Sequence, residues 1–204
     1  MSLLIKKLSE FTGIHKGSKI IVCGCGTSLL TFKDHYADWI TIGVNDVPAL
    51  FEPTYLLVTD HPNRFNNSRA NLINKSNTKH LFTCAKGWRH PRMVNFELGS
   101  TDVKSLDTPN KIDHFINSPF VAIGLAYKLG AKNIGIIGVD FTNGHFYNPN
   151  DGAHPVMRGN LRKVNTAYNK LKVALASRGV SLYNLSPTSN VELPKITLAE
   201  FSKL

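Results

Sequence analysis

The stretch SPFVAIGLAYKLGAKNIGIIGVDF, residues 118–141, changes character half-way along, and that change sets the fold. Ser118 suits a helix N-cap and Pro119 suits the first turn. FVAIGLAYKL continues the helix, and Gly130 stands where it would end. KNIGIIGVDF is then almost wholly apolar, as expected of a central strand in a parallel sheet covered on both faces. Working outward, KIIVCG, WITIGV, PTYLLVTD and KHLFTC read as earlier strands, and VSLYNLSP as the last. TSLLTFKDHYAD reads as a helix between the first two. The clearest helix is NLRKVNTAYNKLKVALASRG, residues 160–179. In it Leu161, Val164, Tyr168, Leu171 and Leu175 recur at helical spacing and form one apolar stripe. Residues 85–111 are polar, basic and broken, and read as an insertion over a sheet edge. The alternation predicts an α/β fold: a Rossmann-like, doubly wound, mostly parallel sheet with helices on both faces, in one domain over residues 1–204.

Composition narrows the class. The chain of 204 residues is 42% hydrophobic, ordinary for a globular protein. It contains no apolar run of membrane-spanning length and no secretory cleavage pattern, which predicts cytoplasmic residence. Three cysteines, Cys23, Cys25 and Cys84, cannot all pair, and this suits a reducing compartment. C-x-C without a second ligand pair is weak evidence for zinc. The net charge of +10 favours polyanionic partners such as nucleic acid, anionic glycan or a nucleotide-bearing substrate, although solubility alone would also account for it.

In open parallel sheets ligands bind beyond the carboxyl ends of the strands, so the strand ends are the candidate site. The first carries Gly24, Gly26, Thr27 and Ser28. It lacks the third glycine of a dinucleotide loop and the lysine of a P-loop, yet small residues at a helix start can cradle an anion as well as make a tight turn. Asn45 can bind a ribose hydroxyl or a base edge, or cap a turn. Asp60 and His61 can supply a general base or sugar contacts, or form a turn with Pro62. Ser118 can bind phosphate or cap its helix. Asp140 ends a buried strand, where an uncompensated charge is costly, so it accepts loop N–H groups or ligand hydroxyls. Residues 142–160 are long for a strand–helix connection and suit a lid. His145, Tyr147, His154, Arg158 and Arg162 lie on it or at its exit. The cluster KGWRHPR, with Lys86, Trp88, Arg89 and Arg92, can grip phosphates or stack a base, or be a solvated loop.

The order of these strand-end residues resembles the bacterial lipooligosaccharide sialyltransferases, glycosyltransferase family 42. That family opens with G-x-G-x-S, matched by Gly24, Gly26 and Ser28, and has an asparagine after the second strand, matched by Asn45. His61-Pro62 stands where the family has Asn-Pro, and Asn117-Ser118 where it has Thr-Ser. Gly138, Asp140 and Phe141 match a Gly-x-Asp-Phe strand end, Tyr147 a lid tyrosine, and LYNLSPTS a late strand with Pro-x-Ser. The resemblance implies a single Rossmann-like domain, a GT-A-like variant, that binds a cytidine nucleotide sugar and needs no cofactor or obligatory metal beyond it. It implies donor contacts from Gly24, Gly26, Thr27, Ser28, Asn45, Asn117, Ser118, Gly138, Asp140, Phe141 and Tyr147. The family's general base is a histidine just before the late helix. Here Arg158 and Arg162 fall near that position, so His154 is the first candidate, with His61 and Asp60 behind it.

The reaction expected is transfer of a sugar from a nucleotide-sugar donor to an acceptor hydroxyl, on a hydroxylated base in DNA or on a glycan. Lys86, Trp88, Arg89, Arg92, Arg158 and Arg162 would serve acceptor or phosphate. Two alternatives stand beside it. One is a pterin diphosphokinase-like enzyme using ATP and magnesium, with Asp46, Asp60 and Asp140 as metal ligands. The other is a non-catalytic nucleic-acid-binding module.

Overall fold

The computed structural model describes residues 5–148 and 160–204. Its main sheet has eight strands: β1 (Lys6–Lys7), β2 (Lys19–Cys23), β3 (Ile40–Val44), β4 (Tyr55–Val58), β5 (His80–Thr83), β6 (Met93–Asn95), β9 (Asn133–Ile137) and β10 (Ser181–Asn184). Two short strands, β7 (Glu97–Leu98) and β8 (Lys111–Ile112), pair with each other beside it. The spatial order is β1-β6-β5-β4-β3-β2-β9-β10, and every neighbouring pair is parallel. From β2 the chain winds one way to β6, then returns to lay β9 and β10 on the other side of β2. The winding therefore reverses between β2 and β9, and a crevice opens at such a switch point.

Both sheet faces are covered because the central strands are largely apolar on both sides. Ile20 and Val22 of β2 face one way, and Ile21 and Cys23 the other, all fully buried. On the first face lie α2 (Ser118–Lys128) and α3 (Leu161–Ala176). The α3 stripe is as expected, with Val164, Tyr168, Leu171 and Leu175 buried. The second face is covered by α1 (Asn67–Lys75), through Ile73, and by the short α4 (Leu198–Ser202), through Phe201. Helix α2 is apolar nearly all round and buried nearly all round, and it is followed by Gly130 at φ 98°, which only glycine adopts freely.

Three local expectations are corrected. The segment after β2 is not an α-helix but two 3-10 turns, Thr27–Thr31 and Tyr36–Asp38. Thr31 Oγ1 donates back to the Ser28 carbonyl, and Ser28 itself is drawn to Asp140, which leaves too little regular backbone for a longer helix. Residues 85–111 are not a mere insertion, since β6 lies within them and extends the sheet beyond β5. The cap of α2 is Asn117 rather than Ser118. Asn117 is extended, and its Oδ1 accepts the Phe120 N–H at 3.0 Å, whereas Ser118 is already helical.

The fold also takes three histidines partly or wholly out of water, at a cost that depends on pH. His90 is fully buried; its Nδ1 accepts the Arg92 N–H at 3.1 Å, so the proton sits on Nε2, which reaches the Ser76 carbonyl at 3.1 Å. Burial lowers the pKa of His15, His80 and His90 below the usual imidazole range. The unfolded chain therefore binds more protons than the folded one as pH falls through about 6.5. Their neutral-state contribution is complete above that value and lost progressively below it. Denaturant midpoints at about pH 7.5, 6.5 and 5.5 are expected to fall in that order; equal midpoints would contradict this account.

Candidate active site

A cleft of about 290 Å³ lies at the carboxyl ends of β2, β3, β4 and β9, where the winding reverses. This is near the small end of the roughly 300–1,000 Å³ usual for small-molecule sites. Gly26, Asn45, Asp60, Asn117, Ser118, Gly138, Asp140 and Phe141 all line it, so segments far apart in the chain meet on one sheet margin.

The first loop is held to β9 from inside. Gly24 N–H donates to the Ile137 carbonyl at 2.8 Å and Gly26 N–H to the Gly138 carbonyl at 2.7 Å. A Cβ on Gly24 would collide with the Gly138 carbonyl oxygen, and one on Gly26 with the Asp140 carboxylate. These glycines are there for close backbone approach, and their N–H groups do not face a ligand. Ser28 is equally engaged. Its N–H and hydroxyl donate to the two Asp140 oxygens at 2.8 and 2.5 Å, and its Oγ accepts the Gly138 N–H at 2.9 Å. Ser186 Oγ adds a third bond to Asp140 at 2.8 Å. Asp140, 3% exposed, is thus a buried carboxylate solvated by protein donors, and it ties β2, β9 and the segment after β10 together. Of the two outcomes open to it, the one realised is acceptance of loop donors. The Thr27 N–H, at the start of its turn, has no partner among the described residues.

Two cleft residues are incompletely satisfied. Asn45 follows β3 with φ 49°, and its Oδ1 is buried without a hydrogen-bond partner among the described residues. Asn117 Oδ1 accepts both the Phe120 N–H and, at 2.8 Å, the Tyr168 hydroxyl, which fixes the amide and leaves Nδ2 buried without a partner among the described residues. Burial pushes the Tyr168 phenol well above its ordinary pKa, so it stays a donor. Two residues that line one cleft thus each hold a buried amide atom, one acceptor and one donor, without a partner among the described residues, and each such group costs about 1–3 kcal/mol until it is paired. The turn that carries Asn45 is pinned from behind: Asp46 is buried and takes Arg69 Nε at 2.7 Å and Nη2 at 2.5 Å. Cys25 also lines the cleft. Burial, reinforced by the Asp46 charge, raises its thiol to about 12, so it is no nucleophile near neutral pH.

Other expected residues lie elsewhere. His61 is exposed beside the cleft, and its Nδ1 accepts the Asn63 N–H at 3.2 Å. Tyr147 is 48% exposed and stacks on His145 at 5.0 Å; it is His145 that lines the cleft. Trp88 cannot stack a base. It is 4% exposed, packs on Phe65, and donates Nε1–H to the Asp60 carbonyl at 3.0 Å. Arg89 and Arg92 are exposed on the β5–β6 connection, and Arg162 is exposed on α3, away from the cleft. Lys86 lines a separate hollow. His154 and Arg158 lie outside the described residues, as does the lid from 149 to 159. Among the described residues no three of His, Cys, Asp and Glu converge on a metal position; Asp46 and Asp140 are taken by Arg69 and by the serines. Tyr168, in the apolar stripe of α3, is the residue that sequence reasoning missed, and His145 was named only among the lid candidates without a role at the cleft.

A parallel sheet with its cleft at the winding reversal is a Rossmann-like, doubly wound α/β architecture. The chain is similar to the MAf glycosyltransferase of Magnetospirillum magneticum AMB-1, with a TM-score of 0.55 at 10% identity over 100% of this chain, which spans 41% of that one. It is similar to the sialyltransferase CstII of Campylobacter jejuni in complex with cytidine-5'-monophosphate, with a TM-score of 0.50 at 17% identity over 88% of this chain and 85% of that one. A CST-II complex with trisaccharide acceptor and CMP gives a TM-score of 0.51 at 18% identity, covering 89% and 87%. At these identities the likeness is one of fold. No protein-family model matches the chain, and no curated protein matches its sequence. Among the described residues no helix is long and apolar enough to cross a membrane.

Proposed function

We propose that this protein transfers a sugar from a nucleotide-sugar donor to an acceptor hydroxyl. The observation that carries the reading is that two residues lining the switch-point cleft, Asn45 and Asn117, each hold a buried amide atom, Oδ1 and Nδ2, without a partner among the described residues. A nucleotide offers both an acceptor and a donor for them, and the similar CstII structures hold CMP. Asn45 and Asn117 would bind ribose or base. The Thr27 N–H and Ser118, whose Oγ lies 3.1 Å from Thr59 Oγ1, would face the phosphate. Asp140 and Ser28 hold the loop in place and do not touch the donor.

In the reaction the acceptor oxygen bonds to the anomeric carbon. The bond from that carbon to the phosphate oxygen breaks, and the nucleotide leaves with the electron pair. The acceptor proton passes to a base. Asp60, exposed on the cleft wall, and His154 are the two candidates, and Asp60→Asn and His154→Ala separate them by which one abolishes turnover. The acceptor is a glycan or a hydroxylated base in DNA; the charge of +10 is the feature that favours DNA.

A thermal-shift screen with CMP, UDP, GDP, ADP and their sugars tests the reading. A donor at about 100 times its Kd adds about 2.7 kcal/mol, or roughly 5–10 °C for a chain of this size. No shift with any of them would contradict it, and a shift with magnesium-ATP alone would favour the diphosphokinase class.

A further inference from the structure

A second hollow, of about 440 Å³, opens at the carboxyl ends of β1, β5 and β6, on the same sheet margin as the cleft. Its floor is apolar, from Cys84, Trp88, Met93 and Phe96, and Lys7 and Lys86 lie on its exposed rim. Neither lysine is in an ion pair among the described residues, while Glu97, also on the rim, lies 3.9 Å from Lys111. The wall between hollow and cleft is the end of β4. Cys84 Sγ bonds to the Thr59 carbonyl at 3.5 Å, Trp88 Nε1 bonds to the Asp60 carbonyl at 3.0 Å, and Asp60 itself lines the cleft on the other side.

From this juxtaposition we infer that the hollow is the acceptor subsite and takes an anionic sugar residue, carboxylate- or phosphate-bearing, of a glycan. This rests on the glycosyltransferase reading of the neighbouring cleft. The apolar floor suits the face of a pyranose ring, and two unpaired ammonium groups on the rim suit one anionic substituent. A hollow of about 440 Å³ with an apolar floor fits one sugar residue better than a continuous polyanion, which calls for an extended basic groove. A residue seated there would carry its neighbouring hydroxyl over the end of β4, past Asp60, toward the anomeric carbon of a donor in the cleft. Asp60 stands between the two sites and would receive that hydroxyl's proton.

The test is the ¹⁵N spectrum of the whole protein, read at the Trp88 indole N–H, during titration with glucuronic acid, glucose 6-phosphate, glucose and a short DNA duplex. The charged sugars are expected to shift that signal with saturation at about 1–10 mM, and glucose is not. Lys7→Gln with Lys86→Gln is expected to weaken the charged sugars about fivefold or more, while leaving nucleotide affinity at the cleft unchanged. Equal shifts from glucose, no shift from any sugar, or a stronger shift from DNA would overturn the inference. Charged-sugar binding without any nucleotide binding would uphold the anionic-sugar subsite and defeat the glycosyltransferase reading, so the two failures are distinguishable.

Discussion

Asn45→Gly combined with Asn117→Ser is expected to weaken nucleotide binding about a hundredfold while the protein remains folded. Each substitution removes one buried, unpartnered amide atom from a residue that lines the cleft. Each lost ligand hydrogen bond is worth about 1.4 kcal/mol, a factor of ten, and the two act on different ligand atoms. The replacements are chosen to spare the scaffold. Asn45 has φ 49°, which glycine adopts without strain. Serine still caps α2 in place of Asn117, although the buried Tyr168 hydroxyl loses its partner at a cost of about 1–3 kcal/mol. Calorimetric titration with the nucleotide that stabilises the wild-type protein most, alongside melting curves, gives the result. Unchanged affinity in the double variant would remove both residues from the donor site.

Gly138→Ala is expected to have the largest effect on stability, about 2–5 kcal/mol. The residue has φ 68°, and a left-handed alanine costs about 1–2 kcal/mol. Its Cβ would also strike the Gly24 carbonyl, and overpacking a tight backbone contact costs about 1–3 kcal/mol more. Against a total stability of about 5–15 kcal/mol this is a large share. The melting temperature should fall by roughly 4–20 °C at about 2–4 °C per kcal/mol. Gly179→Ala is the control. It shares the positive φ of 74°, but its Cβ would meet nothing within 4 Å, so it carries the conformational cost alone. Equal losses from the two variants would show that the Gly24–Gly138 approach contributes nothing.

The parts of the fold that were legible in the sequence have one physical cause each. The apolar runs of β2, β3, β4 and β9 can only be central parallel strands, and the α3 stripe can only be one buried face. Strand ends then locate the cleft by topology alone, which is why Asn45, Asp60, Ser118 and Asp140 could be grouped in advance. What a residue does at the rim was less legible. Ser28 and Asp140 look like ligand contacts in sequence, but they face each other in the structure, because a serine 112 positions before an aspartate gives no sign of pairing with it. Trp88 looks like a stacking platform among basic residues, but it is core, since Phe65 and Ile73 are far from it in sequence and adjacent in space. β6 was hidden because three residues between a basic cluster and a phenylalanine carry no periodicity.

The central claim is that a nucleotide occupies the margin between β2 and β9. A crystal structure with the most stabilising nucleotide tests it most directly. The account predicts ligand density in the 290 Å³ cleft, with nucleotide atoms within hydrogen-bonding distance of Asn45 Oδ1 and Asn117 Nδ2. A nucleotide seated elsewhere, with both amides still unpartnered, would contradict it.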